Sequence, residues 1–168
     1  KREHKKLEAT NLRPLFQEGK ILPAEEANTA KFLEPFQKLI GRWEMKNKDG
    51  DVALKIQWRL SAMGSLLVEK YDSINEKSEI SGGGINITGI DPSNGRLTMW
   101  SVGKNGFRRR GGWDFISDNV TGQRQGNNRL IRKLEDDNTI TAYWQSKKNG
   151  DYTGENNKYT LKRVLETE

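Results

Sequence analysis

The sequence predicts an all-β protein: one closed antiparallel barrel of eight to ten strands over residues 39–168, carried behind an N-terminal helical arm over residues 1–38. Three observations predict it. The composition shifts near Leu39, with 16 of the 17 glycines and all five tryptophans after it and three of the four prolines before it. Beyond that point apolar residues recur with a period of two, and turn chemistry returns at short intervals. Leu, Ile, Val and Phe make only 36 of 168 residues, close to the roughly 20% below which chains tend towards disorder. Such a chain folds only if its apolar groups share one face of each element.

In the arm, residues 24–37 form the best helical segment, interrupted by Pro35. Phe32, Leu33, Phe36, Leu39 and Ile40 share one face at spacings of three and four, which predicts a helix capping the domain that follows in preference to a partner-binding helix. The segment 12–22 holds Leu12, Leu15, Phe16, Ile21 and Leu22. These are too many apolar groups to leave in water, and the segment is expected to dock, on its own barrel or on another copy of the chain as a homo-oligomer.

The first strand covers residues 41–48 and ends in the hairpin signal Asn47-Lys48-Asp49-Gly50. In the next, Val52, Leu54, Ile56, Trp58 and Leu60 face one way while Lys55, Gln57 and Arg59 face the other, the clearest strand in the chain. Residues 65–71 follow, and Gly82-Gly83-Gly84 reads as a flexible hairpin connection rather than a phosphate loop, since no Gly-Lys-Ser/Thr follows. A strand from Ile85 to Gly89 leads to the turn Asp91-Pro92-Ser93-Asn94-Gly95. Residues 97–102, 107–116, 120–125, 129–134, 140–146 and 159–165 complete nine or ten strands. Closing such a meander removes its exposed edges and leaves room inside for side chains or one small ligand.

Gly41-Arg42-Trp43, opening the first strand after a short helix, resembles the Gly-x-Trp signature of lipocalins and the wider calycin group. The order of Gly41 to Glu44, Ala62-Met63-Gly64, Gly89-Ile90-Asp91-Pro92, Met99-Trp100-Ser101 and the final Tyr159-x-x-x-Arg163 is similar more particularly to an uncharacterised bacterial lipocalin-like family of unknown function. The resemblance covers residues 39–165 and leaves the arm unexplained. It implies a barrel floor in which Trp43 closes one end beneath Arg163 of the last strand, with Gly41 allowing close backbone approach. A guanidinium over an indole contributes roughly 0.5–2 kcal/mol.

The residues exclude much chemistry. With no Cys, there are no disulfides, thiolate metal sites or cysteine nucleophiles, and the single His4 rules out histidine triads, multi-His metal sites and a barrel-borne haem ligand. No cofactor or metal is expected. No apolar run approaches the roughly 18 residues of a transmembrane helix. A formal charge of +6 is too common to identify a partner. A soluble protein is expected, cytoplasmic or exported with its signal peptide removed.

Alternation along the later aromatic strand groups Phe107, Arg109, Gly111, Trp113 and Phe115 on the inward face. Together with Ile56 and Trp58 they make an aromatic lumen into which Arg109 projects, with Arg124 of the next strand able to join it. A buried Arg needs a partner. Glu69 is the internal candidate, a ligand carboxylate or phosphate is the functional one, and a bulge at Gly111-Gly112 is a third outcome that places Arg109 outside. Alternation splits Arg108-Arg109-Arg110 between two faces, which argues against a nucleic-acid surface. The expected function is therefore non-enzymatic binding of a small apolar or amphiphilic ligand, with an anionic head at Arg109. The alternatives are a structural barrel filled by its own side chains that associates through its arm, and a calycin-type isomerase or lyase using Glu44, Glu69, Asp114 or Tyr143.

Overall fold

The computed structural model describes residues 33–61 and 64–165. These form β1 (Gly41–Lys46), β2 (Val52–Leu60), β3 (Leu67–Ile74), β4 (Ile80–Asp91), β5 (Arg96–Gly103), β6 (Arg108–Ser117), β7 (Val120–Gln125), β8 (Asn128–Asp136), β9 (Thr139–Lys148) and β10 (Asp151–Arg163). Every strand pairs antiparallel with its sequence neighbours, and β10 returns to β1, so the barrel is closed and has no free edge. The expected barrel is present with ten strands. Among the described residues no helix is long and apolar enough to cross a membrane.

One end of the barrel is sealed by a 3₁₀ helix, Glu34–Leu39. Pro35 lies in its first turn, where its fixed φ fits and its missing N–H costs no hydrogen bond. Leu33, Phe36 and Leu39 are all buried against the barrel, as the capping pattern predicts. The rest of the expected 24–37 helix and the docking segment 12–22 lie outside the described residues.

Two strands run further than their patterns suggest. Gly82, Gly83 and Gly84 are not a hairpin connection: they belong to β4 and pair with Ser73, Asp72 and Tyr71 of β3. Glycine is needed there because a Cβ on Gly84 would stand 2.6 Å from the Val102 carbonyl oxygen and 2.8 Å from the Tyr71 hydroxyl. The second extension is β10, which begins at Asp151 rather than near 159. Its register shifts between Thr153 and Asn156 and again between Asn156 and Tyr159. Those bulges break the period of two through a run of polar residues, so no alternation betrays the strand.

The registers define the interior. Trp43 lies opposite Ile56, which lies opposite Tyr71; Trp58 lies opposite Glu69, which lies opposite Asn86. Below, near the 3₁₀ helix, Trp43, Trp58, Phe36, Leu67, Met99, Ile140 and Leu161 fill the space completely. The hairpins at the other end leave a mouth.

Candidate functional site

The sealed end is held by aromatic packing and by Arg163. Phe36 meets Trp113 edge-on at 4.7 Å between ring centroids, and Trp43 meets Trp58 at 6.2 Å. The Arg163 guanidinium stands 4.3 Å from the Trp43 ring centroid. It donates from Nη1 to the Ile40 carbonyl at 2.6 Å, from Nη2 to the Lys38 carbonyl at 2.7 Å and from Nε to the Asp137 carbonyl at 2.8 Å. Trp43 Nε1 donates to the Leu39 carbonyl at 2.8 Å. Gly41 has φ +127°, and a Cβ there would stand 2.7 Å from Arg163 Nη1, so only glycine admits the guanidinium. Gly41, Trp43 and Arg163 thus meet as the resemblance implies.

Above this floor lies a cross-barrel polar network. Arg132 of β8 donates from Nη2 to Glu69 Oε1 of β3 at 2.6 Å and from Nη1 to Gln123 Oε1 of β7 at 2.9 Å. Asn86 Nδ2 of β4 donates to Glu69 Oε2 at 2.9 Å, and Gln123 Nε2 donates to the Met99 sulfur. The side chains of Arg132 and Glu69 are 2% and 4% exposed, so the pair is sealed from bulk water. Its guanidinium also lies 5.3 Å from the Trp58 ring centroid and 5.8 Å from that of Trp113. Three buried polar atoms around this network find no hydrogen-bond partner in the described protein: Trp58 Nε1, Asn86 Oδ1 and Arg132 Nε.

Between the network and the mouth is a cavity of about 370 Å³. Met45, Leu54, Ile56, Leu130 and Trp144 supply apolar wall, while Glu69, Asn86, Gln123 and Arg132 supply its polar lining. Two phenols share that wall. Burial pushes the Tyr159 hydroxyl above its ordinary pKa; the Arg132 charge opposes the shift and the Glu69 charge adds to it. Burial likewise raises Tyr71, with Glu69 adding to the shift and Ser101 and Arg109 opposing it.

The residues expected to line the lumen separate into five places. Ile56 lines the cavity; Trp58 and Trp113 are buried beneath it. Phe115 lies at the sealed end, 5.5 Å from Phe36, and is half exposed. Phe107 and Arg109 stand at the mouth, where the guanidinium sits 4.1 Å from the Phe107 ring and reaches Gln125 Oε1 at 3.5 Å. Arg109 shares the inward register of Trp113, and no bulge intervenes at Gly111 or Gly112. Its strand begins so near the rim, however, that the side chain is exposed rather than enclosed. Arg124 is outside the barrel, where Nε bonds Asp114 at 3.0 Å. Asp114 is thereby outside too, shared with Arg129, and Glu44 faces Lys55 on the exterior. Tyr143, opposite Ile131, is on the outer face as well.

Glu69 is therefore the internal carboxylate, but its partner is Arg132 rather than Arg109. The signal for Arg132 was present: in Leu130-x-Arg132-x-Leu134 an arginine sits between two apolar residues of the same parity. Asn86 and Gln123 carried no such signal, because amides stand on either face of a strand. No family model matches the chain, and no curated protein matches it.

Proposed function

We propose that the chain is a lipocalin-like barrel that binds one small apolar or amphiphilic ligand in its lumen without chemical conversion. The observation that carries this reading is the 370 Å³ cavity with apolar walls and a few convergent polar groups at its inner end. That volume falls within the roughly 300–1,000 Å³ of small-molecule sites. The polar end is Arg132, Asn86 and Gln123 rather than Arg109, which at the rim serves entry better than enclosure. Glu69 has both oxygens engaged by Arg132 and Asn86, which favours binding over acid–base work.

Native mass spectrometry of gently purified protein is expected to retain a bound small molecule, and medium-chain amphiphiles are expected to displace an environment-sensitive dye from the lumen. Finding neither would overturn the reading. It would leave the structural barrel that associates with partners, a reading favoured by the packing of the lower half with the chain's own tryptophans.

A further inference from the structure

We propose that the outer wall formed by β3, β4 and β5 docks on an anionic lipid bilayer, through an apolar stripe flanked on both sides by cations. These side chains point away from the lumen, so the inference stands apart from whatever the lumen holds.

Residues of a strand point alternately to its two faces, so the neighbours of the buried Trp58, Glu69, Asn86 and Met99 point out of the barrel. The registers of β2 to β6 align these outward residues in two rows. One reads Arg59, Val68, Ile87, Trp100 and Arg110; the other reads Gln57, Lys70, Ile85, Val102 and Arg108. Both rows are apolar across β4 and β5 and cationic on either side. Ile87, Ile85 and Val102 are 37%, 43% and 47% exposed, where an antiparallel sheet facing water is ordinarily polar. Beside them Gly82, Gly83, Gly84 and Gly103 carry no side chain, and a shallow apolar groove of about 280 Å³ opens between Ile80, Ile85 and Val102.

The flanking charge is only partly answered. Asp72 lies 3.0 Å from Lys70, and Asp91 pairs with Arg110. Arg59 and Arg108 make no ion pair among the described residues, and Lys104, beside the groove, donates to the Ile80 carbonyl at 2.9 Å. Glu76, Lys77 and Glu79 belong to the β3–β4 turn, beyond the ends of both rows.

This charge pattern selects among occupants. A second copy docking by a twofold axis would lay cationic flank on cationic flank, whichever way the axis ran in the wall. The segment 12–22 carries Arg13, Glu18 and Lys20, so it brings no net negative charge. A partner helix needs a trough about 10 Å wide to lie in, whereas this wall is the convex outside of a closed barrel. A bilayer surface asks for no such shape. Apolar side chains enter its headgroup boundary, lysine and arginine stems lie along the stripe, and their charged ends meet anionic lipid.

Flotation of the intact chain with vesicles tests this. Vesicles of phosphatidylcholine with an equal part of phosphatidylserine are expected to bind it at least about tenfold more tightly than phosphatidylcholine alone, and raised salt is expected to remove most of the difference. Arg59→Gln with Arg108→Gln is expected to weaken that binding at least about tenfold, and Ile85→Ser with Val102→Ser at least about fivefold. Lys133→Gln with Lys162→Gln removes the same charge from β8 and β10, across the barrel from β4. It is expected to leave binding within about twofold of the wild type. All six positions are exposed, so each variant is expected to keep its circular dichroism. If the far-side pair weakens binding as much as Arg59→Gln with Arg108→Gln, net charge rather than this wall is responsible and the inference fails. Equal binding to both vesicles, or binding to neither, also overturns it; the second outcome leaves the wall to an acidic protein partner. Loss of a dimer in Ile85→Ser with Val102→Ser, seen by light scattering, would overturn it in favour of a second copy. None of these outcomes bears on dye displacement from the lumen, so the two readings fail separately.

Discussion

Two arginines of the same barrel do opposite jobs. Arg163, at the sealed end, bonds three backbone carbonyls and covers Trp43, so each of its three guanidinium nitrogens is engaged. Arg132, in the middle of the lumen, is the more deeply buried of the two, yet its Nε is left without a partner, as are Trp58 Nε1 and Asn86 Oδ1 nearby. A group built only for stability is expected to be satisfied, because an unmet buried donor costs about 1–3 kcal/mol. The floor is finished by the chain itself, and the network above it is not. The contrast separates a floor whose arginine is held on three carbonyls from a lumen network whose buried charges answer each other.

The largest expected effect breaks the lumen side of this contrast. Arg132→Ala leaves Glu69 buried without a cation and is expected to cost about 3–5 kcal/mol in urea unfolding. Replacing the pair together, Glu69→Leu with Arg132→Met, is expected to recover most of that loss. A single-variant cost below about 1 kcal/mol would show that water reaches the pair.

The floor is expected to respond less steeply, because each Arg163 partner is a backbone carbonyl near the surface. Arg163→Ala is expected to cost about 1–3 kcal/mol through lost packing, hydrogen bonds and cation–π contact, with ligand affinity unchanged. A change below about 0.5 kcal/mol in the same unfolding experiment would mean that the guanidinium contributes nothing there.

Alkaline pH sharpens the comparison further, since the two phenols belong to the lumen. A phenol whose folded pKa is raised keeps its proton longer in the folded state. Its contribution is complete below the ordinary value of 10.0 and is lost as pH climbs through the raised folded value. Urea midpoints of the wild type are therefore expected to fall faster than those of Tyr159→Phe as pH rises above 10.0. Parallel curves would show that Tyr159 does not titrate differently on unfolding.

The smallest effect is expected on the outer wall. Arg124 is half exposed, and Asp114 keeps Arg129 as a second partner. Arg124→Ala is expected to change stability by no more than about 0.5 kcal/mol and lumen binding not at all, measured by the same unfolding and dye-competition assays.

Much of this architecture was legible in the chain. Leu54, Ile56 and Trp58 alternate with polar residues, and one face of that strand had no alternative to burial. Gly41, Trp43 and Arg163 were legible through the resemblance, and they meet at the floor. The site was read less well. Parity placed Arg109 on the inward face correctly, but parity says nothing about depth along the barrel axis, and at the rim an inward side chain is still in water. Arg124 was placed with it as a residue of the next strand, although its register opposite Gly112 puts it outside.

The sequence by itself determined the all-β class, the closing meander and the faces of its regular strands, because alternation, turns and glycine act over a few residues. Only the tertiary structure decided which buried charges meet. Glu69 and Arg132 are 63 positions apart, on strands that face each other across the lumen rather than pair, and no local pattern encodes that distance. The same holds for the depth of Arg109 and for the meeting of Asn86 and Gln123 with that pair. Each of these hydrogen bonds depends on where four strands, β3, β4, β7 and β8, bring their side chains at once.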